Sequence, residues 1–182
     1  MVCRRLPGRG AFSFYLNFGI YDSLSLTNYQ LIVYTSDVGG KIMNKKYIAL
    51  KDNVEAFLEE LRSVMTSVNF NVNTDLDILM KKKKESSLDP YTTENTLIAL
   101  EFDRYDVYNQ LLSLGISNYL ETIIDNRDTV QLPFFAFIKQ IQGRDVYIKV
   151  KIRNLAKRNV FCVSFHFARY PSKLPYARKE YI

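Results

Sequence analysis

The sequence predicts an α+β fold in which helices pack on one face of a small antiparallel β-sheet. Three observations predict it. An apolar set at helical spacing runs from Val54 to Val68, two more segments carry helix-start residues, and three strand-like runs lie close together between residues 134 and 167. With 182 residues, 47% of them hydrophobic, the chain is long enough for one domain with its own core.

Residues 1–42 pattern poorly. Arg4, Arg5, Gly8, Arg9 and Gly10 read as a loop and LTNYQLIVYT as a strand; DVGGK then leads to a second methionine, Met43. The stretch is read as an N-terminal extension, loosely attached or an upstream translation artefact, ahead of a single α+β domain over 43–182. Its arginines precede apolar residues as in a secretory leader, but Asn17, Gly19 and Tyr21 interrupt the block. No small-residue cleavage site follows, so the reading excludes a signal peptide. No window holds the roughly 18 consecutive apolar residues of a membrane span.

The elements follow in order. Asp52 or Asn53 caps a helix whose inward face is Val54, Phe57, Leu58, Leu61, Val64, Met65 and Val68. VNFNVN alternates Val68, Phe70 and Val72 with asparagines, a strand pattern. KKKKESS and Asp89-Pro90 form a charged loop, and its run Lys81 to Lys84 is read as solvated, with phosphate contact as the sharper alternative. Thr92 or Thr93 opens a second helical stretch through Leu97, Ile98 and Leu100. Asp103 opens a third, with Val107, Tyr108, Leu111 and Leu112 inward and Gly115 as its stop. ISNYLETIIDNRDTVQLP reads as a polar connection ending at Pro133. The strands are FFAFIKQI (134–141), DVYIKVKIR (145–153) and NVFCVSFHF (159–167), joined by a tight QGRD hairpin turning on Gly143 and by NLAKRN.

Cys3 and Cys162 are far apart and there is one histidine, which leaves no zinc constellation, redox pair motif or disulfide framework. The expectation is a cytoplasmic protein without metal or cofactor. Charge is uneven: residues 131–182 carry 11 Lys and Arg against 2 Asp and Glu, whereas residues 43–130 carry 10 against 15. A basic end on an acidic body points to a phosphate-bearing partner or an acidic protein.

The strand pattern argues which way the only histidine, His166, faces. In 145–153, Val146, Ile148, Val150 and Ile152 alternate with Asp145, Tyr147, Lys149, Lys151 and Arg153. In 160–167, Phe161, Val163, Phe165 and Phe167 alternate with Val160, Cys162, Ser164 and His166. Antiparallel strands share one core face only if paired residue numbers sum to an odd value. A sum of 313 leaves Asn154 to Asn159 as the loop, sets His166 opposite Tyr147, and sets Ser164 opposite Lys149. His166 then projects on a polar face among cations. The competing reading is a merely solvated face with lysines that discourage edge aggregation.

Such a face suits RNA cleavage, in which the neighbouring 2′-hydroxyl attacks phosphorus. A base takes that proton, an acid protonates the leaving 5′ oxygen, and cations hold the phosphorane charge. Imidazole serves either role, tyrosine bonds phosphate or stacks on a base, and Lys/Arg supply charge. His166 and Tyr147 match this need, with Lys149, Lys139, Lys151 and Arg169 as cationic support. No glycine-rich phosphate loop, GxSxG or carboxylate cluster offers another reaction.

TTENTLIALEFDRYDVYNQLLSLGISNYLET, PFFAFIKQIQGRDVYIKVKIR and NVFCVSFHFARYPSKLPY together resemble the MqsR family of type II toxin–antitoxin toxins, over about residues 92–176. GRDVYIK and VSFH carry the resemblance, at the right separation. It implies a RelE-like α+β fold and an mRNA endoribonuclease that needs no metal. It also implies a cognate antitoxin, helix-turn-helix-containing and encoded adjacently, that holds the enzyme inactive. By position the family's catalytic tyrosine falls on Tyr147, its C-terminal lysine on His166, and its other lysine near Glu121. Its glutamine falls near Phe135 or Ala136 and is not kept. Related toxins pair a glutamate with a histidine, which makes Glu121 the base and His166 the acid, provided the 115–130 connection folds over the sheet. Glu121 as a plain surface carboxylate is the other reading. Two further classes stand beside the nuclease: a nucleic-acid-binding module without turnover, and a protein-interaction domain docking an acidic partner.

Overall fold

The computed structural model describes residues 46–125, 132–154 and 158–177. The chain divides into two units, Met1–Lys41 and Ile42–Ile182, and all described residues belong to the second. Cys3, LTNYQLIVYT and the rest of the expected extension lie outside them.

Helix α1 (Lys51–Met65) buries Val54, Phe57, Leu58, Leu61, Val64 and Met65, the face its spacing predicts. It starts from Leu50 without a side-chain cap, so Asp52 sits inside the first turn, where its charge favours the helix dipole. Val68 lies beyond the helix and is 98% exposed. VNFNVN is not a strand. The Asn71 side chain accepts from the Asn73 N–H at 2.9 Å, and the Asn71 N–H donates to the Asp75 carboxylate at 2.7 Å. Those local bonds turn the chain into the short helix α2 (Val72–Asp75) and override the alternation. Strand β2 (Leu76–Ile78) follows directly.

The caps of the next helices are as expected. The Thr92 hydroxyl accepts from Asn95 N–H at the start of α3 (Thr93–Leu100), and Asp103 forms a capping box with Asp106 at the start of α4 (Arg104–Leu112). Helix α4 ends at Ser113, and Gly115 instead leads a 3₁₀ turn, Ile116–Asn118. The expected polar connection contains a strand, β3 (Tyr119–Ile123). Tyr119 fixes it in the core: its hydroxyl accepts from Ala49 N–H at 2.9 Å and meets Thr122 Oγ1 at 2.8 Å.

With β1 (Lys46–Tyr47), β4 (Phe134–Ile141), β5 (Arg144–Asn154) and β6 (Arg158–Phe167) these form a six-stranded sheet of order β1-β3-β4-β5-β6-β2. Only β2 runs parallel to its neighbour, so the sheet is mostly rather than wholly antiparallel. Gln142 (φ 48°) and Gly143 (φ 77°) turn the β4–β5 hairpin, as a two-residue loop with two left-handed positions requires. Asn154 pairs with Arg158, so the next loop is tighter than Asn154 to Asn159.

The helices cover one face. There Phe57 stacks on Phe135 at 4.0 Å between ring centroids, above Phe137, Ile148, Val150 and Phe165. The opposite face is not uniformly polar: Ile123, Phe134 and Ala136 form a second cluster with Tyr147, Phe161 and Val163. Phe161 and Val163 were expected beneath the helices with Phe165 and Phe167. A β-bulge separates the two sets. Lys149 pairs with Ser164 but Val150 pairs with Cys162, leaving Val163 without a partner and reversing the parity of β6. Val160 and Cys162 are therefore buried under the helices instead.

Candidate functional site

Beyond the bulge the register is that of the 313 sum: Tyr147 opposes His166 and Lys149 opposes Ser164. The Tyr147 and His166 rings stack at 5.3 Å between centroids and 27° between planes. Both are partly buried, on the face opposite the helices. Nδ1 of His166 lies 3.0 Å from the Phe167 carbonyl oxygen, which can only accept, so Nδ1 carries the proton of the neutral ring. The Nε2 lone pair is thereby left available, and Nε2 has no partner among the described residues. Burial pushes the His166 pKa below the ordinary imidazole value, with the Phe167 carbonyl opposing and Lys82 adding to the shift. Burial, with a contribution from Glu121, raises the Tyr147 phenol, which stays protonated as a donor.

Helix α3 holds the backbone on both sides of His166. β2 pairs with β6 only over residues 160–162, and Leu79 N–H closes on Cys162 C=O at 3.0 Å. Beyond that point the N–H groups of Phe165 and Phe167 donate to the buried hydroxyls of Thr93 (3.2 Å) and Thr96 (3.1 Å). Threonine side chains thus replace the missing strand, and a helix register fixes the histidine's placement.

Around the pair lies an open depression of about 420 Å³, lined among others by Glu121, Ile138, Tyr147, His166 and Arg169. Glu121 reaches it from within the sheet, as part of β3, and not from a connection folded over the sheet. Its carboxylate holds Lys46 Nζ at 2.6 Å. Arg169 is ion-paired with Asp89 and lies 4.6 Å over the Tyr91 ring. The Tyr91 N–H, with Arg169 adding, keeps the Asp89 carboxyl below its usual range.

The expected lysines separate. Lys149 is on this face, its Nζ 4.4 Å above the Phe134 ring, and burial lowers its ammonium pKa, with Lys82 contributing. Lys151 is 3% exposed and paired with Asp125 at 2.7 Å, so its ammonium is held in an ion pair within the fold. Lys139 shares the parity of Phe137 and Ile141 and bonds Ser113 after α4, across the sheet from His166. Sequence reasoning missed Lys46, Tyr170 and Lys173, which line the same depression. Lys46 sits on a two-residue strand too short to show a pattern, while Tyr170 and Lys173 lie in the basic tail, whose composition was the only signal.

Fold and site together define an α+β protein whose mostly antiparallel sheet presents a histidine–tyrosine pair and several cations on the face away from its helices. No family model, curated protein or solved structure matches the chain. No helix among the described residues is long and apolar enough to cross a membrane.

Proposed function

We propose that the chain is an mRNA endoribonuclease of MqsR-like, RelE-like type, the toxin of a type II toxin–antitoxin pair. It acts in the cytoplasm without a metal, and an adjacently encoded antitoxin masks its basic face. The observation that carries the reading is the stacked Tyr147–His166 pair, with Nε2 unengaged among the described residues and Lys149 two residues along the same strand face. A lowered imidazole pKa suits His166 to act as base rather than acid. In this mechanism Nε2 takes the 2′-hydroxyl proton as O2′ bonds to phosphorus. The P–O5′ bond breaks, leaving a 2′,3′-cyclic phosphate, and the Lys149 ammonium, made a better acid by burial, protonates O5′. The Tyr147 phenol donates to a phosphoryl oxygen. Glu121 holds Lys46 at the rim.

The test is induced expression with and without the neighbouring gene, together with RNA cleavage by the purified protein. His166→Gln is expected to lose about 10²–10⁴-fold in cleavage while RNA affinity changes little. Normal growth and intact mRNA in cells holding folded protein would sink the proposal.

A further inference from the structure

The lysine run after β2 is exposed, as a solvated loop requires, but one member of it, Lys82, is fixed in place. β2 runs parallel to β6, and its pairing continues to Leu79, so the chain from Leu79 travels alongside β6 from Cys162 towards Ser164. A turn then fixes Lys82: its N–H donates to Glu85 Oε2 at 2.8 Å, its carbonyl accepts from Glu85 N–H at 3.0 Å, and its Nζ lies 3.4 Å from Glu85 Oε1. The same Nζ is 3.5 Å from Ser164 Oγ, and Ser164 is only 3% exposed. Lys149 is the cross-strand partner of Ser164. Lys82 thus reaches the buried hydroxyl, and the stem of Lys149 starts directly across the strand from it, with its Nζ over the Phe134 ring.

The charges there do not cancel. Glu121 has Lys46, Asp125 has Lys151 and Glu85 has Lys82. Lys149 has no carboxylate at ion-pair distance among the described residues, and its neighbour across Ser164 is another cation. The like charge of Lys82 adds to burial in disfavouring the Lys149 ammonium; an anion seated at Lys82 removes the like-charge part and leaves the larger effect of burial, which keeps Lys149 the better acid. Lys149 is two residues from Tyr147 on the same face, about 6.6 Å along the strand. That is comparable to the step between neighbouring phosphates of an extended single strand.

We propose that Lys82 and Ser164 form a second phosphate subsite beside Lys149, one rung along the sheet from the Tyr147–His166 pair. It binds the phosphate next to the scissile one in single-stranded RNA. The inference rests on the ribonuclease reading for its ligand class, but it has its own test.

The probes are uncleavable 2′-deoxy oligonucleotides with one internucleotide phosphate (a dinucleotide) or two (a trinucleotide), titrated into the full chain over a range of salt. The expected result is tighter binding of the trinucleotide. Lys82→Ala should weaken that binding about tenfold and lower the salt slope by about 0.7, the contribution of one single-strand phosphate contact. The dinucleotide should be nearly indifferent to Lys82→Ala. Lys82 is exposed in a loop, so the variant folds, and far-UV circular dichroism checks this. Equal affinity and slope for the trinucleotide in wild type and Lys82→Ala overturns the subsite, even if RNA is cleaved. A Lys82-dependent second phosphate in a protein that never cleaves RNA upholds the subsite and removes the ribonuclease reading. Failure to bind either oligonucleotide overturns both.

Discussion

Thr96→Val tests how the histidine is held. The substitution keeps the shape of the side chain and removes only the acceptor that Phe167 N–H uses, at a residue with no solvent exposure. Water cannot replace the bond, so the cost is that of an unsatisfied buried donor, about 1–3 kcal/mol. Thr93→Val removes the equivalent bond to Phe165 and should cost a similar amount. The double variant then loses about 2–6 kcal/mol, less or more by whatever the two bonds share, out of the ~5–15 kcal/mol typical of a domain. The assay is urea unfolding followed by far-UV circular dichroism, since the chain has no tryptophan. An unchanged m-value shows that stability itself has moved. Thr96→Ser, which restores the hydroxyl, should recover most of the loss and, with it, the placement of His166. A Thr96→Val cost below about 0.5 kcal/mol at constant m would refute the claim that α3 stands in for a missing strand.

Two further outcomes follow from the site. Burial lowers the His166 pKa, so below about 6.5 the unfolded chain binds a proton that the folded one resists. Stability should be flat above that pH and fall as pH drops through it towards the folded value, and His166→Gln should flatten this part of the profile. A wild-type protein that instead gains stability over that range relative to His166→Gln contradicts the burial argument. Lys151→Met keeps the stem's bulk near Phe134 but leaves Asp125, whose side chain is 16% exposed, without its lysine. The expected cost is at or below the low end of the ~3–5 kcal/mol for breaking a buried pair, with RNA affinity unchanged. Lys149→Met should do the reverse, and equal RNA-binding losses in the two variants would count against separating their roles.

Much of the site was legible because two strands, 145–153 and 160–167, alternate over eight or more residues, which sets both their extent and the pairing of His166 with Tyr147. Thr92 and Asp103 were legible as caps because they precede apolar helical spacing. β3 was not, since its fixing residue, Tyr119, acts through hydroxyl bonds to Ala49 and Thr122 that no local pattern encodes. The alternation in VNFNVN misled because side-chain bonds at Asn71 decide the local geometry. Lys139 misled for a different reason: β4 is buried on both faces from Phe134 to Ile138, so its parity is invisible without its neighbours. Lys82 reaches Ser164 only because a three-residue parallel strand carries the loop there, and three residues leave no periodic trace.

Consider, finally, β6 without Val163. Residues 160, 162, 165 and 167 would point to the helices and 161, 164 and 166 away from them, an uninterrupted rhythm. The sheet can thus be assembled without that valine, whose presence acts as a spacer slid into the strand. What it adds is an unpaired residue: Ser164 stays opposite Lys149 and His166 opposite Tyr147, while the strand bends and twists locally just ahead of them. Aim across this surface is accordingly tuned by the length of the strand as well as by the chemistry of the groups it carries.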